Sequence, residues 1–238
     1  HALLRQWLTP LWQLLRARGW DAIYYQHVFD EPLPTQADHY RHLALIVRQL
    51  MPGVRLMDAV HIHELNGAVD VMVPSYLGGV RKERRFAEAY QRCGVEVWYY
   101  TCCCPRGRWL NRFLDFPLLR TRLLHWYNYI THTTGYLHWG LNHYRGMDPW
   151  QQTVIDPEIH PDGVVVLPPG DTHVVWPGDN AAYGSLRLTA MRNGIEDYEL
   201  LQMLRDDPTR AQRADAIADS VIRNGTSYIQ DPVTFTRH

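Results

Sequence analysis

Five stretches rich in β-branched and aromatic residues alternate with amphipathic helical patterns along this chain of 238 residues. That alternation constrains the fold more than any single motif. Strands separated by helices pair in parallel, because a parallel neighbour can be reached only by a long crossover. The strands read as 23–29, 54–62, 69–76, 95–103 and 136–144. Between and after them, helices read as 36–51 and 81–92, one starting at Pro117, then 182–204 and 209–223. Leu4, Trp7, Leu8, Leu11, Leu14 and Leu15 recur at helical spacing before the first strand. Thr9-Pro10 falls inside that pattern, which fits two short helices or one kinked helix. Residues 145–169 read as an irregular surface loop, and GDTHVVWPG, 170–178, as a short hairpin or extended turn.

Two architectures satisfy the pattern, an open doubly wound sheet and a segment of a (β/α)8 barrel. No glycine-rich phosphate loop follows any strand, which argues against the nucleotide-binding open sheet. The strands instead end in polar and aromatic residues: Asp30 and Glu31, His61 and His63, Ser75 and Tyr76, Tyr100 and Thr101, Trp139 and Asn142. A barrel gathers its chemistry at that end of its strands. The expected fold is therefore α/β, an incomplete (β/α)8 TIM barrel with extra C-terminal helices, forming a single domain over 1–238. A complete barrel takes about 250 residues, so three strands are expected to be missing on the N-terminal side.

The sharpest site signal is DAIYYQHVFDEP, 21–32, where a strand pattern delivers two adjacent carboxylates and then a proline. Neighbours on a regular strand point to opposite faces. At a strand end, where the backbone turns, Asp30 and Glu31 can reach one pocket. The alternative is that they cap the next helix or face solvent. Nine Trp and 14 Tyr suit stacking on sugar rings as well as a core. Trp98, Tyr99, Tyr100, Trp126 and Trp139 are the platform candidates, with Tyr100 and Trp139 preferred because they lie near strand ends. Asn142 is a candidate for a sugar hydroxyl, or it simply terminates its strand. Arg187, Arg192 and Asp197 read as structural salt bridges on the long helix.

The formal net charge of −1 gives no support to nucleic acid or an anionic membrane as partner, and no run is long enough to span a bilayer. Cys102, Cys103 and Cys104 are consecutive. On a strand they would alternate faces, so they read as reduced thiols, with a metal site lacking any known zinc spacing. His61 and His63, spaced i, i+2, could be drawn into a metal site with Asp58 or Glu64 and His27. Sugar hydroxyls or solvent suit them better, and the expectation is no metal and no cofactor.

From Val97 onward, VWYYTCC, FLDFPLLRTRLLHWYNY, TGYLHWGLNHY, GDTHVVWPG and SLRLTAMRNGIEDYELL follow in order, and with HVFDEP they resemble the catalytic domain of glycoside hydrolase family 123. The resemblance runs from the first strand to Leu204. It implies a retaining β-N-acetylgalactosaminidase on a TIM barrel often preceded by a β-sandwich, this chain supplying strands four to eight. It further implies a substrate-assisted mechanism. The sugar's 2-acetamido oxygen attacks the anomeric carbon, Asp30 holds the acetamido N–H, and Glu31 is general acid, then general base. Tyr100, Trp139, Asn142, Tyr99, His61 and Tyr76 would then bind substrate, a glycan or glycoconjugate. The chain begins at His1 without a signal peptide, while the resemblance suggests a secreted or periplasmic protein. The absent strands leave room for a missing N-terminal segment or a homo-oligomer. Two other readings stay open: a non-catalytic carbohydrate-binding relic, and a metal-dependent barrel hydrolase using His61 and His63.

Overall fold

The structure, a computed structural model, describes residues 2–60, 62, 65, 67–75, 87–92, 94–144, 146–160 and 163–237, and of 155–160 and 163–166 the backbone alone. His61, His63 and Tyr76 lie outside the described residues. Two compact units emerge, 1–75 with 85–100, and 76–84 with 101–238.

The first unit opens with α1, Ala2–Ala17, a single helix that carries Pro10 within it, so Thr9-Pro10 starts no second helix. Strand β1 is Tyr25–Gln26, helix α2 is Ala37–Leu50, and strands β2, β3 and β4 are Arg55–Val60, Val71–Pro74 and Glu96–Thr101. A helical segment covers 87–92, between β3 and β4. The strands pair in chain order, β1-β2-β3-β4, each pair parallel. Register fixes the faces: Tyr25 lies opposite Arg55, Met57 opposite Val71, and Val71 opposite Glu96. Arg55, Met57, Ala59, Val71, Val73, Glu96, Trp98 and Tyr100 therefore share one face. Leu56, Val60, Met72 and Val97 point the other way, into a core with Trp12 and Leu15 of α1 and Tyr40, Ala44, Val47 and Leu50 of α2. At the N-terminal end of the strands charges pair off. Arg48 bonds Asp70 at 3.0 Å, Asp70 accepts the Leu56 N–H at 2.7 Å, and Arg55 bonds Glu96.

Strand β1 is far shorter than the sequence pattern suggests. Residues 21–23 form a 3-10 turn, and pairing stops at Gln26. The reason is Asp58, which is fully buried on the helix-facing side of β2. Its carboxylate accepts the Val28 N–H at 3.1 and 3.2 Å and the Phe29 N–H at 3.3 Å, replacing the ladder acceptors a neighbouring strand would offer. The Tyr40 hydroxyl donates to it at 2.5 Å and His27 Nδ1 lies 3.1 Å away. A buried carboxylate is tolerated only when its oxygens are satisfied, and here backbone and side-chain donors do that. Burial first, then the Asp58 charge, pushes the Tyr40 hydroxyl above its ordinary range, so it remains a donor.

In the second unit, β5 is Gly135–His138, the hairpin β6-β7 is Ile155–His160 with Gly163–Leu167, and β8-β9 is Val175–Pro177 with Ala182–Gly184. The stretch read as an irregular loop thus contains a hairpin, and the helix expected from 182 begins at Leu186, after Ser185, whose hydroxyl accepts the Leu188 N–H. The helices are α3, Leu118–Thr131; α4, Leu186–Asp206; α5, Ala211–Val221; and α6, Pro232–Phe235, with a small hairpin, Ile222–Asn224 (β10) and Ser227–Tyr228 (β11), between the last two. The buried side of α4 is Arg187, Ala190, Gly194 and Leu201, whereas the apolar Leu188 and Ile195 are exposed. Small residues win that face because α3 approaches so closely. Asp197 accepts two bonds from Arg122, at 2.6 and 2.7 Å, and one from Trp126, at 2.8 Å.

Two consequences are measurable. A Cβ at Gly194 would lie 2.3 Å from the Arg122 carbonyl oxygen. Gly194→Ala should therefore cost about 1–3 kcal/mol, seen as a lower melting temperature; an unchanged melt would contradict the close packing. Asp58→Asn keeps shape but sets an N–H₂ against donors, and should cost on the order of 2–3 kcal/mol in urea unfolding. The hydrogen bond to Asp58 raises the His27 pKa above 6.5, aided by the Asp58 and Asp30 charges and opposed by burial. A raised folded value means that this contribution is complete below about pH 6.5 and is lost as pH rises through the folded value. Asn at 58 should erase that pH dependence.

Candidate active site

The chain beyond β1 has no ladder to follow and runs from Val28 into the acidic pair. Glu31 is anchored by its N–H, which donates to the Ala59 carbonyl at 3.1 Å. Its φ is 45°, in the left-handed region that a non-glycine residue enters at a cost of about 1–3 kcal/mol. Regular extended backbone would set Asp30 and Glu31 on opposite faces, and this turn breaks that alternation. Both side chains are exposed. The Tyr100 hydroxyl, from the C-terminal end of β4, donates to Glu31 Oε1. Tyr100 itself is buried, so it reaches the carboxylate from the strand surface as a fixed post. Tyr99 is also buried and by alternation lies on the opposite face from Tyr100. Trp98 is turned toward the N-terminal end, where Nε1 donates to Glu96 at 2.8 Å and the ring meets Tyr25 edge-on at 5.4 Å.

Asp58 and His27, weighed in the sequence as metal ligands, bond to each other and to the loop that carries the pair. Their role in the structure is to position the pair. The signal that marks Asp58 in the sequence is a lone charge in the middle of an apolar strand, RLMDAV.

Of the other platform candidates, Trp139 and Asn142 belong to the second unit. Trp139 follows β5 directly, is 42% exposed, and donates from Nε1 to Asp171 Oδ2 at 3.0 Å. Its ring stacks on His138 with 18° between planes and meets His143 edge-on at 5.3 Å. The His138 tautomer follows from its partners. Nδ1 accepts the Gly140 N–H at 3.1 Å, so Nε2 carries the hydrogen and donates to Asp171 Oδ1 at 3.0 Å. Burial brings the His138 pKa down to about 4 despite Asp171, which keeps the ring neutral at ordinary pH. Asp171 thereby fixes both rings from behind while the indole stays partly exposed. Asn142 is exposed and its backbone bridges to His173. Trp126 is buried against α4.

Arg187, expected in a salt bridge, forms none among the described residues. It is buried and donates to the carbonyls of Arg112, at 2.5 Å, Gly170, at 2.8 Å, and His173. Arg112, also buried, donates to the Gly140 carbonyl. These two guanidiniums stitch the loops around Asp171 together through backbone acceptors. Burial first and then each other's charge lower the Arg187 pKa to about 10, which still leaves the group charged at neutral pH. Arg192 and Asp197 do form ion pairs, with Glu196 at 3.5 Å and with Arg122.

The acidic pair with Tyr100 has the groups that acid–base chemistry on a ligand reached from solvent requires. The catalytic-domain model of glycoside hydrolase family 123 matches residues 1–204. No curated protein matches. A solved family 123 glycoside hydrolase from Clostridium perfringens, studied for the details of glycolipid glycan hydrolysis, is similar over 93% of this chain, with a TM-score of 0.66 and 16% identity. At that identity the likeness concerns the fold. The chain spans about 38% of the length of that structure. The family match, by contrast, takes in the acidic pair, both tyrosines of β4, Trp139 and most of α4, and on that evidence the chain belongs to the glycoside hydrolase family 123 catalytic domain.

Proposed function

We propose that the chain is the catalytic part of a retaining glycosidase that removes terminal β-linked N-acetylhexosamine, with N-acetylgalactosamine preferred, by a substrate-assisted mechanism. The observation that carries the proposal is the acidic pair itself. Two adjacent carboxylates stand past the C-terminal end of a parallel strand, one turned by a positive φ and held by Tyr100. The galacto preference and the numbering of these strands as the fourth to eighth of a (β/α)8 barrel rest on the family. The remaining strands would come from a preceding segment or another copy.

Two carboxylates flanking the scissile bond would stand about 5–9.5 Å apart, on opposite sides of the sugar. Neighbours in sequence suit a different division. The acetamido carbonyl oxygen of the substrate forms the bond to the anomeric carbon while the bond to the leaving oxygen breaks. Glu31 gives its proton to that oxygen. Asp30 accepts the acetamido N–H and offsets the positive charge that spreads over the oxazoline ring. Water then attacks the anomeric carbon, Glu31 takes its proton, and the ring opens with net retention. Tyr100 orients the Glu31 carboxyl through both steps. Trp139 offers the indole face on which the apolar side of a pyranose stacks, and Asn142, His61 and Tyr76 are assigned to sugar hydroxyls.

A second reading is a binding relic without turnover. Assay separates the two. On aryl β-N-acetylgalactosaminides with poor leaving groups, Glu31→Gln and Asp30→Asn should each lower kcat/KM by about 10²–10⁴-fold, with chelator having no effect. Full retention of activity in either variant would overturn the assignment of that residue. Binding of the free sugar by the parent without turnover would establish the relic.

A further inference from the structure

Pairing on β4 ends at Thr101, so Cys102, Cys103 and Cys104 leave the extended geometry that would have sent neighbouring thiols to opposite faces. The chain turns instead. The Cys102 N–H donates to the Cys104 carbonyl at 2.9 Å. Asn111, fully buried, clamps the turn by donating to the carbonyls of Cys102, at 3.0 Å, and Pro105, at 3.1 Å. Arg106 Nε donates to the Cys103 carbonyl at 2.9 Å. The outcome is convergence: the Cys102 and Cys104 sulfurs are 3.4 Å apart, those of Cys102 and Cys103 4.0 Å, and all three lie within 4.8 Å of one another. The thiols are free and half-buried, accessible to an ion yet screened from bulk solvent.

We propose that Cys102, Cys103 and Cys104 form a three-thiolate site for one soft, thiophilic metal ion, Cu(I). A metal–sulfur bond of about 2.3 Å places sulfurs about 3.7–4.0 Å apart around one ion, and the pairs at 3.4 and 4.0 Å bracket that spacing. Thiolate donors select Cu(I), zinc and iron–sulfur clusters over hard ions. Zinc almost always takes four ligands, and among the described residues no fourth His, Cys, Asp or Glu joins the group. Three sulfurs in one turn suit a trigonal Cu(I). Ligation displaces the thiol protons to solvent, with no change of oxidation state. The site draws on none of the residues assigned to glycoside cleavage.

The test is an anaerobic titration of the full chain with Cu(I) against a chromophoric Cu(I) chelator, with Zn(II) titrated in parallel. The expected result is one Cu(I) per chain with an ultraviolet thiolate-to-copper charge-transfer band. Cys102→Ser, Cys103→Ser and Cys104→Ser should each weaken binding by at least about 100-fold, and Cys93→Ser should leave it unchanged. X-ray absorption of the copper-loaded parent should show three sulfur neighbours, a readout that stands even where a serine variant fails to fold. Absence of binding, fewer than three sulfurs, a requirement for Cys93, or tighter binding of Zn(II) than of Cu(I) would each overturn the assignment.

Discussion

The buried carboxylate of Asp58 is the interaction on which the first unit depends. It sits in the second strand yet serves the first, taking the N–H groups of Val28 and Phe29 that no strand partner receives. Without it the segment leading to Asp30 and Glu31 would have unsatisfied donors beside an apolar core, each costing on the order of 1–3 kcal/mol. Tyr40 closes the arrangement from α2. Sheet, helix and acidic loop are thus tied through one side chain. A short β1 is the consequence: the loop exchanges ladder bonds for a point anchor and gains the freedom to turn at Glu31.

The same device recurs in the second unit with different chemistry. Asp171, buried, accepts from His138 and Trp139 and sets the angle of an exposed indole. The buried guanidiniums of Arg112 and Arg187 spend their donors on backbone carbonyls rather than on carboxylates. In each unit an exposed segment or side chain is held by a buried charged group one layer behind. Pre-organisation of this kind is what a site needs to act on a transition state without first rearranging.

The sequence was legible where periodicity and chain order carry the information. Parallel pairing, strand order in the first unit and the position of the acidic pair all follow from alternation and from the proline after Glu31. It was not legible where a tertiary partner overrides local preference. Residues 23–29 have strong strand propensity, yet Asp58 competes for their backbone and most of the strand is lost. The cysteines look like the end of the strand read at 95–103, but a turn held by Asn111, nine residues on from Cys102 in sequence, gathers them. On α4 the apolar stripe of Leu188 and Ile195 is a weaker guide than Gly194, because a missing Cβ lets α3 approach. Arg187 carries no sequence mark separating a buried carbonyl binder from a surface ion pair.

The central claim is that the substrate's own acetamido group is the nucleophile and that Asp30 and Glu31 serve it. The most direct measurement compares hydrolysis of an aryl 2-acetamido-2-deoxy-β-galactoside with that of the aryl β-galactoside carrying a 2-hydroxyl, on the same chain. The account predicts turnover of the first and none above background for the second. Comparable rates on both would contradict it and return the pair to a mechanism in which a protein carboxylate attacks.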